Sequence, residues 1–212
     1  MKRKRSIELV VASKNADKVK EIREILKGQN LKISCLRDYP QSPYILENGK
    51  TFRENAVKKA MIIAKFTQKL TLGEDSGLEV RALNGKPGVY SARFSGRDKS
   101  DLKNNLKLLR VLGDLPPTKR KARYVSAVAL ADNNGLIGVV EGYCAGSIGF
   151  QMRGCSGFGY DPLFVIAKYK KTFAQLGPLI KHRISHRFRA LKKARSILSK
   201  HARGNFLTHS AI

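Results

Sequence analysis

The chain has 212 residues, 42% of them hydrophobic, which suits one globular domain or two lobes sharing a core. Lys and Arg number 42 against 16 Asp and Glu, a net charge of +26 that favours polyanionic partners such as nucleotides or nucleic acid. No apolar run approaches the roughly 18 residues needed to span a bilayer, and the basic start "MKRKRSIELVV" has its apolar segment broken by Glu8, so neither a membrane span nor a signal peptide is expected and the cytoplasm is the expected compartment.

In chain order, Ile7–Ser13 ("IELVVAS") reads as a buried strand, and a polar turn leads into a helix with Val19, Ile22, Ile25 and Leu26 on one face, capped by Asn15 or Ser13. Thr51-Phe-Arg-Glu54 has the form of a capping box and starts a second helix, continued by Ala56, Ala60, Ile63 and Ala64. "LEVRAL" reads as a strand just after an acidic pair, and 101–112 as a helix packed through Leu102, Leu106 and Leu109. "RYVSAVALA", "DNNG" and "LIGVVEGYCAGSI" make a β-hairpin. Ser185 caps a last helix, "SHRFRALKKARSIL", after which 201–212 reads as a basic, frayed tail on a domain covering 1–200. Early alternation of strand and helix with a late hairpin predicts a mixed α/β sheet flanked by helices. Cys35, Cys144 and Cys155 are odd in number and lack metal spacing, which predicts reduced, buried thiols.

Charge is uneven along the chain. From Pro162 to Ile212 there is no acid against twelve Lys and Arg. Non-specific contact of this basic surface with nucleic acid is therefore expected, a solvated face being the plain alternative.

Four polar stretches have the makings of chemistry, each with an ordinary structural alternative. Ser13, Lys14, Asn15 and Lys18 lie at a helix start, where free N–H groups and the dipole favour phosphate; a simple cap has the same residues. Glu74-Asp75-Ser76-Gly77 sets two carboxylates side by side. Such a pair raises its own proton affinity unless a cation holds it, and Mg²⁺ takes one or two carboxylates plus substrate phosphates; a solvated turn is the alternative. "GCSGFGYDP" (154–162) is a glycine loop whose Phe158 or Tyr160 suits stacking on a base, although it fits neither the Walker nor the Rossmann pattern. Lys181, His186 and Arg187 group hydrogen-bond donors at a helix start, fit for a base or a phosphate.

In this order the stretches "EDSGLEV.AL.G.PGVYSARF.G", "SGFGYDPLF" and "K..ISHR..AL", with "TFRENA" and the early "S.N..K..E", resemble the inosine triphosphate pyrophosphatase family over roughly residues 7 to 199. The resemblance implies a long twisted mixed sheet flanked by helices, in two lobes with a cleft. It also implies a homodimer and a Mg²⁺-dependent release of pyrophosphate from non-standard purine nucleoside triphosphates. Asp75 matches the catalytic, metal-associated aspartate and Ser76 the substrate serine beside it. Ser13 to Lys18 match the triphosphate turn, Phe158, Gly159, Tyr160 and Asp161 the nucleotide loop, and Lys181, His186 and Arg187 the base-recognising group.

Some positions depart from the family pattern. Leu46 stands where a Glu often precedes Glu47, so Glu47 or Glu54 is left as the second metal ligand, with Glu74 a further candidate. Arg81 replaces a common Asp, Gly177-Pro-Leu-Ile180 replaces acids, and His182 and Phe188 replace small residues. Two other readings compete: a Maf-type pyrophosphatase of the same fold, although "ASKNADK" lacks that group's Ser-x-Ser-x-Arg-Arg start, and a nucleic-acid-binding protein built on a pyrophosphatase scaffold.

Overall fold

A computed structural model of the chain describes residues 6–208, with side chains through His201. The basic start 1–5 and the last residues 209–212 lie outside the described residues.

The chain begins with β1 (Ile7–Val11), α1 (Ala16–Leu26) and β2 (Leu31–Cys35). Then come α2 (Phe52–Thr67), β3 (Thr71–Val80) and α3 (Asp101–Leu112). The hairpin strands β4 (Lys121–Asp132) and β5 (Gly135–Ile148) precede two short strands, β6 (Phe164–Ile166) and β7 (Lys171–Thr172). Two helices, α4 (Phe173–Ile184) and α5 (His186–Thr208), close the chain. Seven strands form one sheet in the order β2-β1-β3-β4-β5-β6-β7. β1 runs parallel to β2 and β3, whereas β6 is antiparallel to β5 and β7, so the sheet is mixed as expected.

By its contacts the chain divides into two compact units, one of 1–75, 127–141 and 189–212, the other of 76–126 and 142–188. In the first, the helical faces expected of α1 and α2 are buried: Val19, Ile22, Ile25 and Leu26 on one, Ala56, Ala60, Ile63 and Ala64 on the other. They cover β1, whose Leu9, Val10 and Val11 are wholly buried, as a parallel strand requires. The second unit is built on rings: Phe164 packs tilted against Tyr124 and stacked against Phe173, centroids 4.6 and 5.3 Å apart, in one core with Leu78, Leu108 and Leu163.

Four expectations are corrected. The acidic pair is not in a turn before a strand but inside β3, and 81–83 is a 3₁₀ turn. A buried strand tolerates the charges because each carboxylate is paired with a lysine, described below. On α3 the expected core face is reversed: Leu102 and Leu106 are 57% and 50% exposed, while Asn104 and Asn105 are buried with Leu108 and Leu112. The Asn104 amide is paired at both ends, with the Ser95 N–H and the Ala92 carbonyl, and Asn105 Nδ2 donates to the Asp101 and Gly159 carbonyls, which lowers the cost of burial. The last helix runs on to Thr208, since a single glycine slows a helix without ending it. Finally, Cys35 and Cys144 are buried thiols but Cys155 is exposed.

Candidate active site

The first unit gathers acids around one buried lysine. Thr51 caps α2 by accepting from the Glu54 N–H at 3.1 Å, and Glu54 accepts from the Lys50 N–H at 2.8 Å. That start sets the phase of the helix. Asn55 and Lys59, four residues apart, share a buried side, and Glu54 is turned to the exposed one. Lys59 Nζ donates to Glu47 Oε2 at 2.8 Å and to Asp75 Oδ1 at 3.0 Å. Asn55 Nδ2 donates to Asp75 Oδ2 at 3.2 Å, and Asn55 Oδ1 accepts from the Gly49 N–H at 2.8 Å, which ties the 47–50 segment to the same place.

Helix and strand come this close because residue 73 has no side chain. A Cβ there would lie 2.2 Å from the Ala56 carbonyl oxygen and 2.6 Å from the Ala60 nitrogen. The neighbouring Glu74 is held by Lys18 from the first turns of α1, Nζ to Oε2 3.0 Å. Asn15, not Ser13, is the cap of α1; its Oδ1 accepts from the Lys18 N–H at 2.9 Å, and Ser13 Oγ accepts from the Asn15 N–H at 3.1 Å. Lys14 and Asn15 are exposed at this turn.

The charges perturb one another. Burial pushes the Asp75 carboxyl above its ordinary pKa, and Lys59 and Lys18 offset this only in part. Burial acts on Glu47 too, but there Lys59 prevails and the carboxyl is held below its ordinary value. For Lys59 the desolvation penalty is outweighed by Asp75 and Glu47, so its ammonium is held above the usual lysine range. Asp75 is thus the more basic member of a carboxylate pair that shares one cation.

Among the described residues no three His, Cys, Asp or Glu side chains come together at metal-ligand spacing. The donor set nonetheless fits a hard cation. Glu47 and Asp75 both offer oxygens to the point occupied by Lys59 Nζ, and Mg²⁺ normally takes one or two carboxylates and completes its shell with phosphate and water.

The second unit gathers donors around one buried acid. Asp161 receives the Lys181 ammonium on Oδ2, the Phe158 N–H on the same oxygen at 3.0 Å, and the Tyr124 hydroxyl on Oδ1 at 3.5 Å. Gly157 makes this loop possible: its φ is +83°, and a Cβ there would lie 2.0 Å from Asp161 Oδ2. Gly159 is fixed from α3, its N–H donating to Asp101 Oδ2 at 2.6 Å and its carbonyl accepting from Asn105 Nδ2 at 2.7 Å. The Tyr160 N–H donates to Tyr124 Oη at 3.1 Å and its own hydroxyl to the Ser91 carbonyl at 2.8 Å.

Ser185 caps α5 as expected, accepting from the Phe188 N–H at 3.2 Å, and so aims the two residues after it. His186 stacks flat on Tyr124, centroids 4.5 Å apart and planes 10° from parallel. Arg187 Nη2 donates to Ser76 Oγ at 2.9 Å. Lys181 Nζ and Arg187 Cζ stand 4.6 and 5.5 Å from the centre of the Phe158 ring. Lys181, His186 and Arg187 are all at least 97% buried, which is unusual for bases and singles them out from the surface charge.

Sequence reasoning missed Asn55, Lys59, Tyr124, Asp101 and Asn105. The available signal for the first two was a polar pair four apart beside an alanine-lined helical face. For Tyr124 it was a tyrosine within an otherwise apolar strand, which needs a partner for its hydroxyl.

The arrangement matches known proteins along most of its length. The model of the Ham1 family matches residues 9–197. A dITP/XTP pyrophosphatase of Desulforamulus reducens is 48% identical over 194 residues, covering 92% of this chain and 96% of that protein. One of Exiguobacterium sibiricum is 46% identical over 193 residues, covering 91% and 98%. Among solved structures, the Staphylococcus aureus Ham1 protein superposes with a TM-score of 0.81 at 37% identity, covering 92% of this chain and 99% of that one. The HAM1 protein of Coxiella burnetii gives 0.82 at 36% identity, with 92% and 99% covered. These matches bear out the resemblance drawn from the three motifs: on its sequence and its fold alike, the chain belongs to the Ham1 family.

Proposed function

We propose that the chain hydrolyses non-standard purine nucleoside triphosphates, ITP, dITP and XTP, to the monophosphate and pyrophosphate. The names of its relatives, dITP/XTP pyrophosphatases, support the reaction. The observation that carries the reading is the cluster of buried Asp75, Asn55 and Lys59 with the half-buried Glu47, an acidic centre beside a helix start suited to phosphate.

In this reading Ser13, Lys14, Asn15 and Lys18 take the triphosphate at the start of α1, where unpaired N–H groups and the helix dipole favour anions. Asp75 accepts the proton of the attacking water, a task that its raised basicity suits. The water oxygen bonds to the α-phosphorus, and the bond to the bridging oxygen breaks, releasing pyrophosphate with that electron pair. Lys59 keeps Glu47 and Asp75 together and Asn55 fixes the second Asp75 oxygen, so the acceptor oxygen needs no reorganisation. Glu47 and Asp75 would hold Mg²⁺, which would supply neutralisation of the charge that gathers on the leaving group. Glu54 and Glu74 are left with local tasks, the cap of α2 and the anchoring of Lys18.

The purine stacks on Phe158, with Gly159, Tyr160 and Asp161 shaping the loop around it. Lys181 and Arg187 donate hydrogen bonds and accept none, and His186 donates in one tautomer. A 6-oxygen is satisfied by such a group, whereas the 6-amino group of adenine meets donors head-on, so ATP is rejected. Ser76 contributes its hydroxyl beside Arg187. The enzyme works as a homodimer in the cytoplasm; among the described residues no helix is long and apolar enough to cross a membrane.

The test is a pyrophosphate-release screen of ITP, dITP, XTP, GTP and ATP, with Mg²⁺ and with chelator. The expected pattern is turnover of the first three with Mg²⁺ alone and far slower turnover of ATP. Mg²⁺-supplemented protein that releases no pyrophosphate from any of the five would overturn the reading.

A further inference from the structure

The helix that carries Lys18 has a second side. At 100° per residue Ala16, Val19, Lys20, Arg23 and Glu24 fall within an arc of about 140°, and Lys18, which holds Glu74, lies about 170° from the middle of that arc. Across a cavity of about 210 Å³ this second side meets Cys35, the last residue of β2, and Arg37 in the 3₁₀ turn Leu36–Asp38. All of these residues belong to the first unit.

The lining of the cavity is divided by its chemistry. Val19 and Cys35 are buried and form, with Ala16, an uncharged floor. Lys20, Arg23 and Arg37 are exposed and bring three cations to the rim against the one carboxylate of Glu24. The two arginines are tied in place by the backbone. Arg23 Nη2 donates to the Ile33 carbonyl of β2 at 3.3 Å, and Arg37 Nε donates to the Lys14 carbonyl at 3.0 Å. A guanidinium has several donors in one rigid plane, so spending one on a carbonyl orients the whole fork. Side chains that are oriented beforehand lose less freedom when a ligand arrives.

An ordinary basic surface spreads its cations over convex ground. Here they converge from two elements on one concave space. Guanidinium forks match the oxygens of phosphate and carboxylate, and the excess of cations at the rim calls for an anion with more than one charge. The space limits its size. Sites for drug-sized ligands run to roughly 300–1,000 Å³, and at ~30 Å³ for each water this one equals roughly seven waters. A nucleotide is too large for it, and a small phosphate anion is not.

We propose that this cavity binds a small phosphate anion, of the size of inorganic pyrophosphate, through Lys20, Arg23 and Arg37, on the side of α1 turned away from the catalytic centre. None of these three side chains has a part in the enzymatic reading, so the site stands or falls independently of it.

The probe is inorganic pyrophosphate in the presence of chelator, titrated into the full, nitrogen-15-labelled chain while the Arg37 Nε–H signal is followed by NMR. Four proteins are compared: the natural chain, the cavity variant Lys20→Gln with Arg23→Gln, a control with the same charge loss elsewhere, Lys119→Gln with Lys121→Gln, and Glu24→Gln. In the natural chain the signal should move and saturate, with a Kd of about 1 mM or tighter. The cavity variant should lose about tenfold or more in affinity, as the loss of a charged hydrogen bond implies, and the control less than about twofold. Glu24→Gln removes the only carboxylate of the lining and should bind severalfold more tightly, a gain that a misfolded protein does not give. Equal losses in the cavity variant and the control would mean diffuse attraction by net charge and would overturn the site. So would an Arg37 signal in the natural chain that stays still up to about 10 mM pyrophosphate. Succinate, titrated in the same way, should bind more weakly than pyrophosphate, and the reverse order would overturn phosphate as the class of ligand.

Discussion

Around Lys59, two carboxylates answer to one cation, and a third, Glu74, stands next in the strand with Lys18. Around Asp161 the proportions are reversed: one carboxylate faces an ammonium, a backbone N–H and a phenol, with a buried arginine and histidine close behind in the same unit. Both places are largely buried, so in both an imbalance of charge is costly. An acid-rich centre calls for a cation. A donor-rich one calls for oxygens without hydrogens, which is how a 6-oxopurine differs from adenine. One chain thus holds two centres of opposite balance, one in each unit.

The comparison can be broken from either side. The largest effect is expected at Lys59. Lys59→Ala removes the shared cation from the buried Asp75 and the half-buried Glu47 and should cost about 3 kcal/mol of stability in chemical denaturation. Added Mg²⁺ should recover more stability in this variant than in the natural chain. An unaltered denaturation midpoint without metal would show that the lysine does not balance the pair.

Next comes Asp75→Asn, which keeps the shape and removes the charge. A loss of at least ~10²-fold in kcat on ITP is expected, with a smaller change in KM, as befits a group acting in the chemical step. Steady-state rates that stay within a few-fold of the natural enzyme's would remove Asp75 from the proton transfer.

On the donor side, Arg187→Ala should lower kcat/KM for ITP by about tenfold more than for ATP, the worth of one charged hydrogen bond. Equal losses on the two substrates would give Arg187 to the phosphates or to the fold instead of the base.

The smallest effect concerns pH and lies outside both centres. Glu8 is held below its ordinary pKa by a hydrogen bond and charge from Lys69, with Lys32 adding to it. A lowered folded-state pKa gives stability that is present above the unfolded value and disappears as pH falls through the folded one. The melting point of Glu8→Gln should therefore sit slightly below that of the natural chain at neutral pH, and the two should converge in acid. A gap that persists in acid would mean that the substitution acts by some other route. Since these side chains are exposed, salt should narrow the gap as well.

What could be read in advance followed from local rules. The caps Thr51 and Ser185 are legible because a hydroxyl before a helix has few other uses, and the β4–β5 hairpin because Asn133-Asn134 sits between two β-branched runs. The leucines of α3 misled because periodicity weighs side-chain type alone. It has no access to the Ser95 and Ala92 groups that satisfy Asn104, or to the Gly159 carbonyl that pairs Asn105 Nδ2. The acidic pair was legible as an oddity but not as part of a strand, since its lysines come from 56 residues earlier in one case and 16 in the other. The same distance in sequence hid Lys59 and Tyr124, whose partners become evident only when the chain is folded.

Gly73 carries a consequence for how this sequence can drift. Every missense change of a glycine codon adds at least a Cβ, and at this position the first atom added meets the α2 backbone at 2.2 Å. A saturation library at residue 73, selected for turnover, should return a single amino acid. The same library at Glu54, whose acceptor serves a helix start in solvent, should return several. The site that tolerates no substitute and the one that tolerates many are only nineteen positions apart, so substitution tolerance along this segment is set by how closely helix and strand approach in space and not by position in the sequence.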